Sequence, residues 1–263
     1  MIGDDVILQS HGVEAGYGDA KILHGVSIEV KKGAFVTVMG PNGSGKSTLL
    51  KTIVGLVRHK AGTTEIRGRG GARLDITGAR PYALSALGVS YVPQMANIFV
   101  DMSVLENLQL AGISLGGGRG RFQQQLETVL QHFPVVRERL ASRAGTLSGG
   151  QRQMLAMAKA LIPDPVLLLL DEPSAGLQPD LVDAVFAKIR EFSRTGLSVL
   201  MVEQKARQAL EFSDYAYVLE MGRNRFEGTG ADLVSDPAII DLYLGAGRLP
   251  DLEHVESEEA DAR

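Results

Sequence analysis

The stretch that decides the fold lies at residues 40–47 and reads Gly40-Pro41-Asn42-Gly43-Ser44-Gly45-Lys46-Ser47. It satisfies the G-x-x-x-x-G-K-[ST] pattern, in which glycines let the backbone N–H groups surround phosphate oxygens at a helix N-terminus. The apolar run Ala34–Met39 precedes it, as expected of a strand buried on both faces. Ser47–Val57 follows with a helical pattern. The sequence therefore predicts a strand–loop–helix unit that binds phosphate.

Two side chains of this loop have specific expected roles. Lys46 would reach the β- and γ-phosphates of a nucleotide, and the Ser47 hydroxyl would ligate Mg²⁺. The full candidate set for nucleotide binding within the loop and the first helical turn is Gly40, Pro41, Asn42, Gly43, Ser44, Gly45, Lys46, Ser47 and Thr48.

A second signal is the apolar run Leu167–Leu170, followed at once by Asp171 and Glu172. Such a strand delivers two carboxylates at its C-terminal end, where α/β sheets bind ligands. Asp171 suits a contact to Mg²⁺, direct or through water. Glu172 is placed to act as a general base on an attacking water. Downstream of a phosphate-binding loop, this pair predicts phosphoryl chemistry.

The third signal is Leu147-Ser148-Gly149-Gly150-Gln151, at the start of a predicted helix. Free N–H groups and the Ser148 hydroxyl could bind an anion there, but the same residues could equally form a plain helix N-cap. Taken alone, the pentapeptide leaves both readings open.

Composition excludes several classes of function. The chain has no cysteine, so neither disulfides nor thiolate metal sites are possible, and its five histidines show no ligand spacing. Neither a signal peptide nor an apolar run long enough to span a membrane is visible, so we expect a cytosolic chain. The tail 251–263 holds six acidic residues and one arginine, so it contributes −5 to the net charge of −4, and the rest of the chain contributes +1. The near-neutral remainder lacks the basic stripe of a nucleic-acid-binding protein.

The three signals together resemble the ABC ATPase family, whose signature is the pentapeptide LSGGQ, and the resemblance runs from Val6 to Gly245. It implies a P-loop NTPase core with a mixed, mainly parallel α/β sheet, an antiparallel β subdomain and an inserted helical subdomain at about residues 96–150. We expect a single domain over residues 1–250, and a disordered acidic tail over residues 251–263.

The resemblance also implies roles for further residues and for a partner. Tyr17 matches the aromatic residue that stacks on adenine, Gln94 the glutamine that touches Mg²⁺ and the attacking water, and Ser174–Asp180 the loop through which two subunits communicate. In this family two ATPase subunits face head to tail, so that residues 147–151 contact the partner's ATP. ATP and Mg²⁺ are the expected cofactors.

One position departs from the family pattern. After the predicted strand Leu197–Val202 the family usually has a histidine that contacts the γ-phosphate, and here Gln204 occupies that place. Glutamine forms hydrogen bonds but cannot carry a positive charge. We therefore expect weaker stabilisation of the transition state, and slower hydrolysis, at this chain's own site.

Gln204 and its neighbours also indicate one subfamily within the ABC ATPases. Glu203-Gln204, together with Tyr91-Val92-Pro93-Gln94, Ser103–Leu108 and Tyr243-Leu244-Gly245, is similar to the ATPases of branched-chain amino-acid importers. Those ATPases sit on the cytoplasmic face of the membrane with a second ATPase subunit, two permeases and, indirectly, a substrate-binding protein. Importers of urea and short-chain amides share these features. A lipid exporter or a soluble ABC ATPase is less consistent with the sequence.

Overall fold

The computed structural model describes residues 5–95, 97–115 and 117–240. It contains ten strands arranged in two sheets, within those residues. Their bounds are β1 Val6–Ala15, β2 Leu23–Lys31, β3 Phe35–Met39, β4 His59–Arg67, β5 Arg73–Asp75, β6 Val89–Val92, β7 Leu167–Asp171, β8 Ser198–Glu203, β9 Tyr215–Glu220 and β10 Arg223–Gly228.

The antiparallel sheet has the order β2-β1-β4-β5. Its long strands alternate buried and less buried residues, because one face packs on the core and the other faces solvent. The hairpin predicted over Thr63–Ile76 is present as β4 and β5, although β4 already begins at His59.

The second sheet has the order β10-β9-β3-β8-β7-β6, and all its neighbouring strands are parallel except β9 and β10. Every residue of β3, β7 and β8 is buried, which explains their continuous apolar sequence. In β7, Leu168 and Leu170 pack in one hydrophobic cluster with the inserted helices and the helices that follow them. Leu167 and Leu169 pack in a second cluster with the antiparallel sheet and the helix after the phosphate-binding loop. The mixed, mainly parallel α/β fold is therefore as predicted.

The helices are α1 Lys46–Ile53, α2 Pro81–Ala86, α3 Val104–Gly112, α4 Gly118–His132, α5 Pro134–Arg137, α6 Gly149–Leu161, α7 Pro179–Arg194, α8 Ala206–Phe212, α9 Gly230–Ser235 and α10 Pro237–Ile239. Helices α3, α4 and α5 lie between β6 and α6, in the stretch expected to form the helical insertion. Ser103 caps α3 in a capping box with Glu106, as predicted. No helix in the described ranges combines the length and apolarity of a membrane-spanning helix.

Three local predictions need correction. Helix α1 ends at Ile53 rather than Val57. Gly55 has a φ of 76°, which helical residues do not adopt, and its N–H donates a hydrogen bond to Thr52 O at the end of the helix. The break expected over Gly116–Gly120 is shorter, since α4 already begins at Gly118. Helices α9 and α10 were not predicted. Residues 241–263, including the acidic tail, lie outside the described residues.

A hairpin turn joins the two sheets at the phosphate-binding loop. Gly222, between β9 and β10, donates its N–H to Ser44 O at 3.1 Å, and its carbonyl accepts the N–H of His24 in β2 at 2.8 Å. Its φ is 73°, and a Cβ there would lie 1.8 Å from Ile22 O. Only glycine fits this position without moving one of the sheets.

We therefore predict that Gly222→Ala lowers the free energy of unfolding by about 2 kcal/mol more than Gly78→Ala does. Gly78 is the matched control, because its φ of 71° carries the same backbone strain while a Cβ there meets nothing within 4 Å. Chemical denaturation of both variants checks the difference. Equal destabilisation by the two substitutions would contradict the role of the turn as a joint between the sheets.

Candidate active site

The loop between β3 and α1 is shaped by glycines at its turns. Gly40 has a φ of 147°, and a Cβ there would lie 2.1 Å from the carbonyl oxygen of Leu219. The loop is therefore pressed against β9 at this point, and the chain can pass only without a side chain. Its last residue before α1, Gly45, has a φ of 100° and turns the chain into the helix.

Lys46 is the buried cation of the loop. Only 4% of the residue is exposed. Its Nζ donates hydrogen bonds to Gly40 O at 2.8 Å and Pro41 O at 3.0 Å. Burial lowers the pKa of Lys46, and the carboxylates of Glu172 and other acidic neighbours oppose that shift. In this arrangement the ammonium is held by the loop's own carbonyl groups at the place where a phosphate would compete for it.

Ser47 and Asp171 meet at the edge of the parallel sheet. The Ser47 hydroxyl donates to Asp171 Oδ1 at 2.8 Å, and Tyr91 OH donates to Asp171 Oδ2 at 3.2 Å. Asp171 is 2% exposed. Burial raises the pKa of Tyr91, and the negative charge of Asp171 raises it further, so this phenol stays a donor.

This pair fits the hard, oxygen-preferring Mg²⁺ ion. A hydroxyl and a carboxylate oxygen already lie 2.8 Å apart. Gln94, the third predicted ligand, donates a hydrogen bond to Glu172, the residue after Asp171. The described residues contain no group of three or more His, Asp or Glu side chains that could hold a metal by themselves. A magnesium site here would therefore depend on a hydroxyl, an amide and the phosphates as well as Asp171.

Glu172 stands immediately after β7 in an unusual backbone conformation, with a φ of 48°. Its Oε2 accepts a hydrogen bond from Gln94 Nε2 at 2.8 Å, and its own N–H bonds Val202 O at 3.0 Å. Burial raises the pKa of Glu172; the positive charge of Lys46 opposes the shift, and neighbouring carboxylates add to it. A carboxylate with a raised pKa has the properties required of a general base.

A cavity of about 250 Å³ opens beside these groups. Tyr17 forms one wall and is 52% exposed, so its ring has a free face on which a base could stack. The residues that line the cavity are Tyr17, Ile22, Asn42, Gly43, Gly45, Lys46, Ser47, Thr48 and Glu172. The structure thus brings together the phosphate-binding loop, the predicted base and the predicted stacking residue.

The pentapeptide 147–151 lies elsewhere, and none of the described residues lining that cavity belongs to it. Ser148 is the N-cap of α6: its hydroxyl accepts the N–H of Gln151 at 3.3 Å, and Gln151 Oε1 accepts the N–H of Ser148 at 3.0 Å. A Cβ at Gly150 would meet Leu181 of α7 at 2.9 Å. The cap holds the first turn of α6 in shape, and an anion from another subunit could still approach this turn.

Gln204 follows β8 with an exposed side chain. The residue before it, Glu203, is 1% exposed and accepts backbone N–H groups from two different loops. Sequence reasoning gave neither Glu203 nor Tyr91 a role in the site. Tyr91 reaches the site because its strand β6 runs beside β7 and pairs Tyr91 with Leu169, which shares a face of the sheet with Asp171. No local sequence pattern signals this pairing.

A family model described as "ABC transporter" matches residues 23–175. The chain belongs to the ABC transporter family. It is 42% identical to the high-affinity branched-chain amino acid transport ATP-binding protein BraG of Pseudomonas aeruginosa, over 89% of this chain and 97% of BraG. It is 39% identical to a probable branched-chain amino acid transport ATP-binding protein, LivF, of Archaeoglobus fulgidus, over 91% of this chain and 99% of LivF.

Solved structures agree with this assignment. The ADP conformation of an ATP-binding cassette from an ABC transporter superposes with a TM-score of 0.80 at 29% identity, over 91% of this chain and 99% of that one. A nucleotide-free cassette superposes with a TM-score of 0.79, also at 29% identity, over 90% of this chain and 98% of that one. This ABC chain is an ATP-binding and ATP-hydrolysing subunit.

The raised pKa of Glu172 predicts a pH-dependent cost to stability. Because folding favours the protonated form, this group's stabilising contribution is present at low pH and is lost as pH rises through its raised pKa. Glu172→Gln is uncharged throughout. The difference in melting temperature between Glu172→Gln and the unsubstituted protein, measured without nucleotide, should therefore shift in favour of the variant as pH rises from about 4.5 to about 7.5.

Glu203→Gln is the control for this measurement, because the Glu203 carboxylate accepts N–H groups from Ser174, Gln204 and Lys205. An amide can accept on one oxygen only. Glu203→Gln should therefore lower the melting temperature at neutral pH, where Glu172→Gln raises it. A melting-temperature difference for Glu172→Gln that stays constant with pH would contradict the raised pKa.

Proposed function

We propose that this subunit powers the import of branched-chain amino acids across a membrane. The ATPase part of the proposal rests on the Ser47–Asp171 and Gln94–Glu172 hydrogen bonds, both 2.8 Å long, and on the buried Lys46. The substrate part rests on the relatives. The two relatives from P. aeruginosa and A. fulgidus, similar over nearly their whole length, are branched-chain amino acid transport proteins by name. Importers of urea and short-chain amides remain the alternative to be tested.

In the proposed reaction, ATP enters the cavity with its adenine on Tyr17. Lys46 leaves the carbonyls of Gly40 and Pro41 and binds the β- and γ-phosphates. Ser47, Asp171 and Gln94 would hold Mg²⁺, and the bound ion would supply positive charge to the phosphates.

Two further groups complete the proposed chemistry. The Glu172 carboxylate, oriented by its bond from Gln94, accepts a proton from the attacking water. Gln204 donates a hydrogen bond toward the γ-phosphate. Ser47, Asp171 and Glu172 keep the positions that the fold gives them, so little reorganisation is needed around these groups.

The working unit in this proposal contains two ATPase subunits, identical or different. Residues 147–151 of each contact the ATP of the other, and the first turn of α6 supplies N–H groups for its phosphates. ATP joins the subunits and hydrolysis releases them, which is a shift of population between closed and open states. Two permease subunits transmit this shift, and they hold the pair at the cytoplasmic face of the membrane with a substrate-binding protein on the other side.

The direct test is to purify the chain with its membrane partners and reconstitute the complex in vesicles with the binding protein. ATP-dependent uptake of labelled leucine, isoleucine and valine is compared with uptake of urea and acetamide. Uptake of the three amino acids supports the proposal. Uptake of urea or acetamide alone supports the alternative, and a chain that purifies without any membrane protein contradicts both.

Glu172→Gln should lower the ATP turnover of its own site by about a hundredfold or more, because the proton acceptor is gone. The loop, Lys46 and the Ser47–Asp171 pair are untouched by the substitution, so ATP should still bind and should accumulate in closed pairs. Turnover measurements and size-exclusion chromatography with ATP check this. Glu211→Gln, on the surface of α8, is the control and should leave both quantities unchanged. Normal hydrolysis by Glu172→Gln would remove Glu172 from the mechanism.

Gln204→His should raise the turnover of the assembled transporter by about fivefold, because a hydrogen bond from a charged donor is worth about 1 kcal/mol more than one from a neutral donor. The gain should grow as pH falls toward the pKa of an ordinary histidine, about 6.5. A pH series of steady-state rates measures both effects. An unchanged or lower rate at every pH would contradict the proposed weakness of this site.

A further inference from the structure

Glu203 is a buried carboxylate that the reaction described above does not use. It is the last residue of β8 and 1% exposed. Its Oε1 accepts the N–H of Ser174 at 2.9 Å, while its Oε2 accepts the N–H of Gln204 at 2.9 Å and of Lys205 at 3.2 Å. One side chain therefore joins the loop after β7 to the loop after β8.

The same two loops meet a second time through Lys205. Its ammonium contacts the carbonyl oxygens of Leu177 at 3.3 Å and Ser174 at 3.5 Å. These longer contacts add a second link to residues 174–180, a loop that continues into the first turn of α7 at Pro179. The connection thus has a charged acceptor at one end and a charged donor at the other, both satisfied by backbone groups.

The chemistry of a carboxylate makes this connection hard to replace. Both oxygens of a carboxylate accept hydrogen bonds, whereas an amide presents one acceptor and one donor. A glutamine in place of Glu203 would satisfy either Ser174 or the Gln204–Lys205 turn, but not both. Bonds to a charged acceptor are also about twice as strong as neutral ones, so the native pairing holds the two loops firmly.

Glu203 lies next in sequence to residues that contact or belong to the predicted reacting groups. The residue before it, Val202, accepts the N–H of Glu172, and the residue after it is Gln204. The predicted base, the loop at residues 174–180 and the predicted phosphate-facing residue are therefore held together within the ends of two adjacent strands.

We propose that Glu203 is a positioning residue that couples the loop at residues 174–180 to Gln204, so that the two change position as one unit. The proposal rests on the function proposed above, in which that loop faces the partner subunit and Gln204 faces the γ-phosphate. A change at the subunit interface then reaches Gln204 through the two oxygens of Glu203. Glu203 itself touches neither nucleotide nor water in this scheme.

The test is a double-mutant cycle on the assembled transporter, with Glu203→Gln, Gln204→Ala and the double variant. Glu203→Gln should lower kcat for ATP by about tenfold, with little change in KM because the phosphate-binding loop is intact. In the Gln204→Ala background the same substitution should lower kcat by less than about twofold, since the group it positions is already absent.

Two further variants separate positioning from loss of fold. Asp214→Asn alters a carboxylate that likewise accepts a backbone N–H, from Phe35, at the amino end of the same sheet. It should lower the melting temperature and leave kcat unchanged. Lys205→Met keeps its backbone N–H to Glu203 and loses only its contacts to the loop; it should lower kcat with the same non-additivity toward Gln204→Ala. This variant carries the test if Glu203→Gln does not fold.

The outcomes are distinct. Non-additive losses of kcat support the coupling. Losses that multiply fully in the Gln204→Ala background, or a normal kcat in both Glu203→Gln and Lys205→Met, overturn it. A complex whose unsubstituted form hydrolyses no ATP contradicts the proposed function instead. If Gln204→Ala alone is silent, a loss caused by Glu203→Gln cannot pass through Gln204, and the coupling is again overturned.

Discussion

The site depends on the strand order β3-β8-β7, in which β8 separates the strand before the phosphate-binding loop from the strand that carries Asp171. Parallel strands bring their carboxyl ends to one edge, so the loops after all three strands converge there. The hydrogen bond from Ser47 to Asp171 spans this arrangement and joins α1 to β7. The strands β3, β7 and β8 are wholly buried and evenly registered, so β8 holds these two groups at a fixed separation.

Burial shifts the pKa values of both the basic and the acidic groups at this edge of the sheet. Desolvation lowers the pKa of Lys46 and raises that of Glu172, and each group partly offsets the shift of the other. The Lys46 ammonium is compensated by the carbonyl oxygens of Gly40 and Pro41 and by nearby carboxylates. A triphosphate with its metal would add strong charge partners for both groups.

Sequence reasoning recovered what depends on local pattern. The phosphate-binding loop, the apolar strands before it and before Asp171, and the capping box of Ser103 are all encoded within a few neighbouring residues. It missed what depends on pairing between distant segments. The bond from Tyr91 to Asp171 requires knowing that β6 lies beside β7, and the contacts of Glu203 require the neighbouring loop to be in place.

The predicted end of α1 and the missing prediction of α9 were errors with a local cause in the sequence. The early end of α1 follows from the positive φ of Gly55, a residue visible in the sequence. Helix α9 begins at a Thr229 cap whose hydroxyl accepts the N–H of Asp232, which is the ordinary spacing of an N-terminal cap. The apolar pattern that continues past Gly55 favoured a longer α1. The apolar pattern after Thr229 is weak, so it did not indicate a helix there.

The turn at Gly222 has a consequence for the length of nucleotide that this fold can hold. Tyr17 belongs to the connection between β1 and β2, and β2 is fastened through His24 and Gly222 to Ser44 of the phosphate-binding loop. The platform proposed for the base and the phosphate-binding loop are thus linked through two backbone hydrogen bonds at Gly222. A change at this turn would alter the distance between Tyr17 and the loop, and with it the length of nucleotide that fits between them.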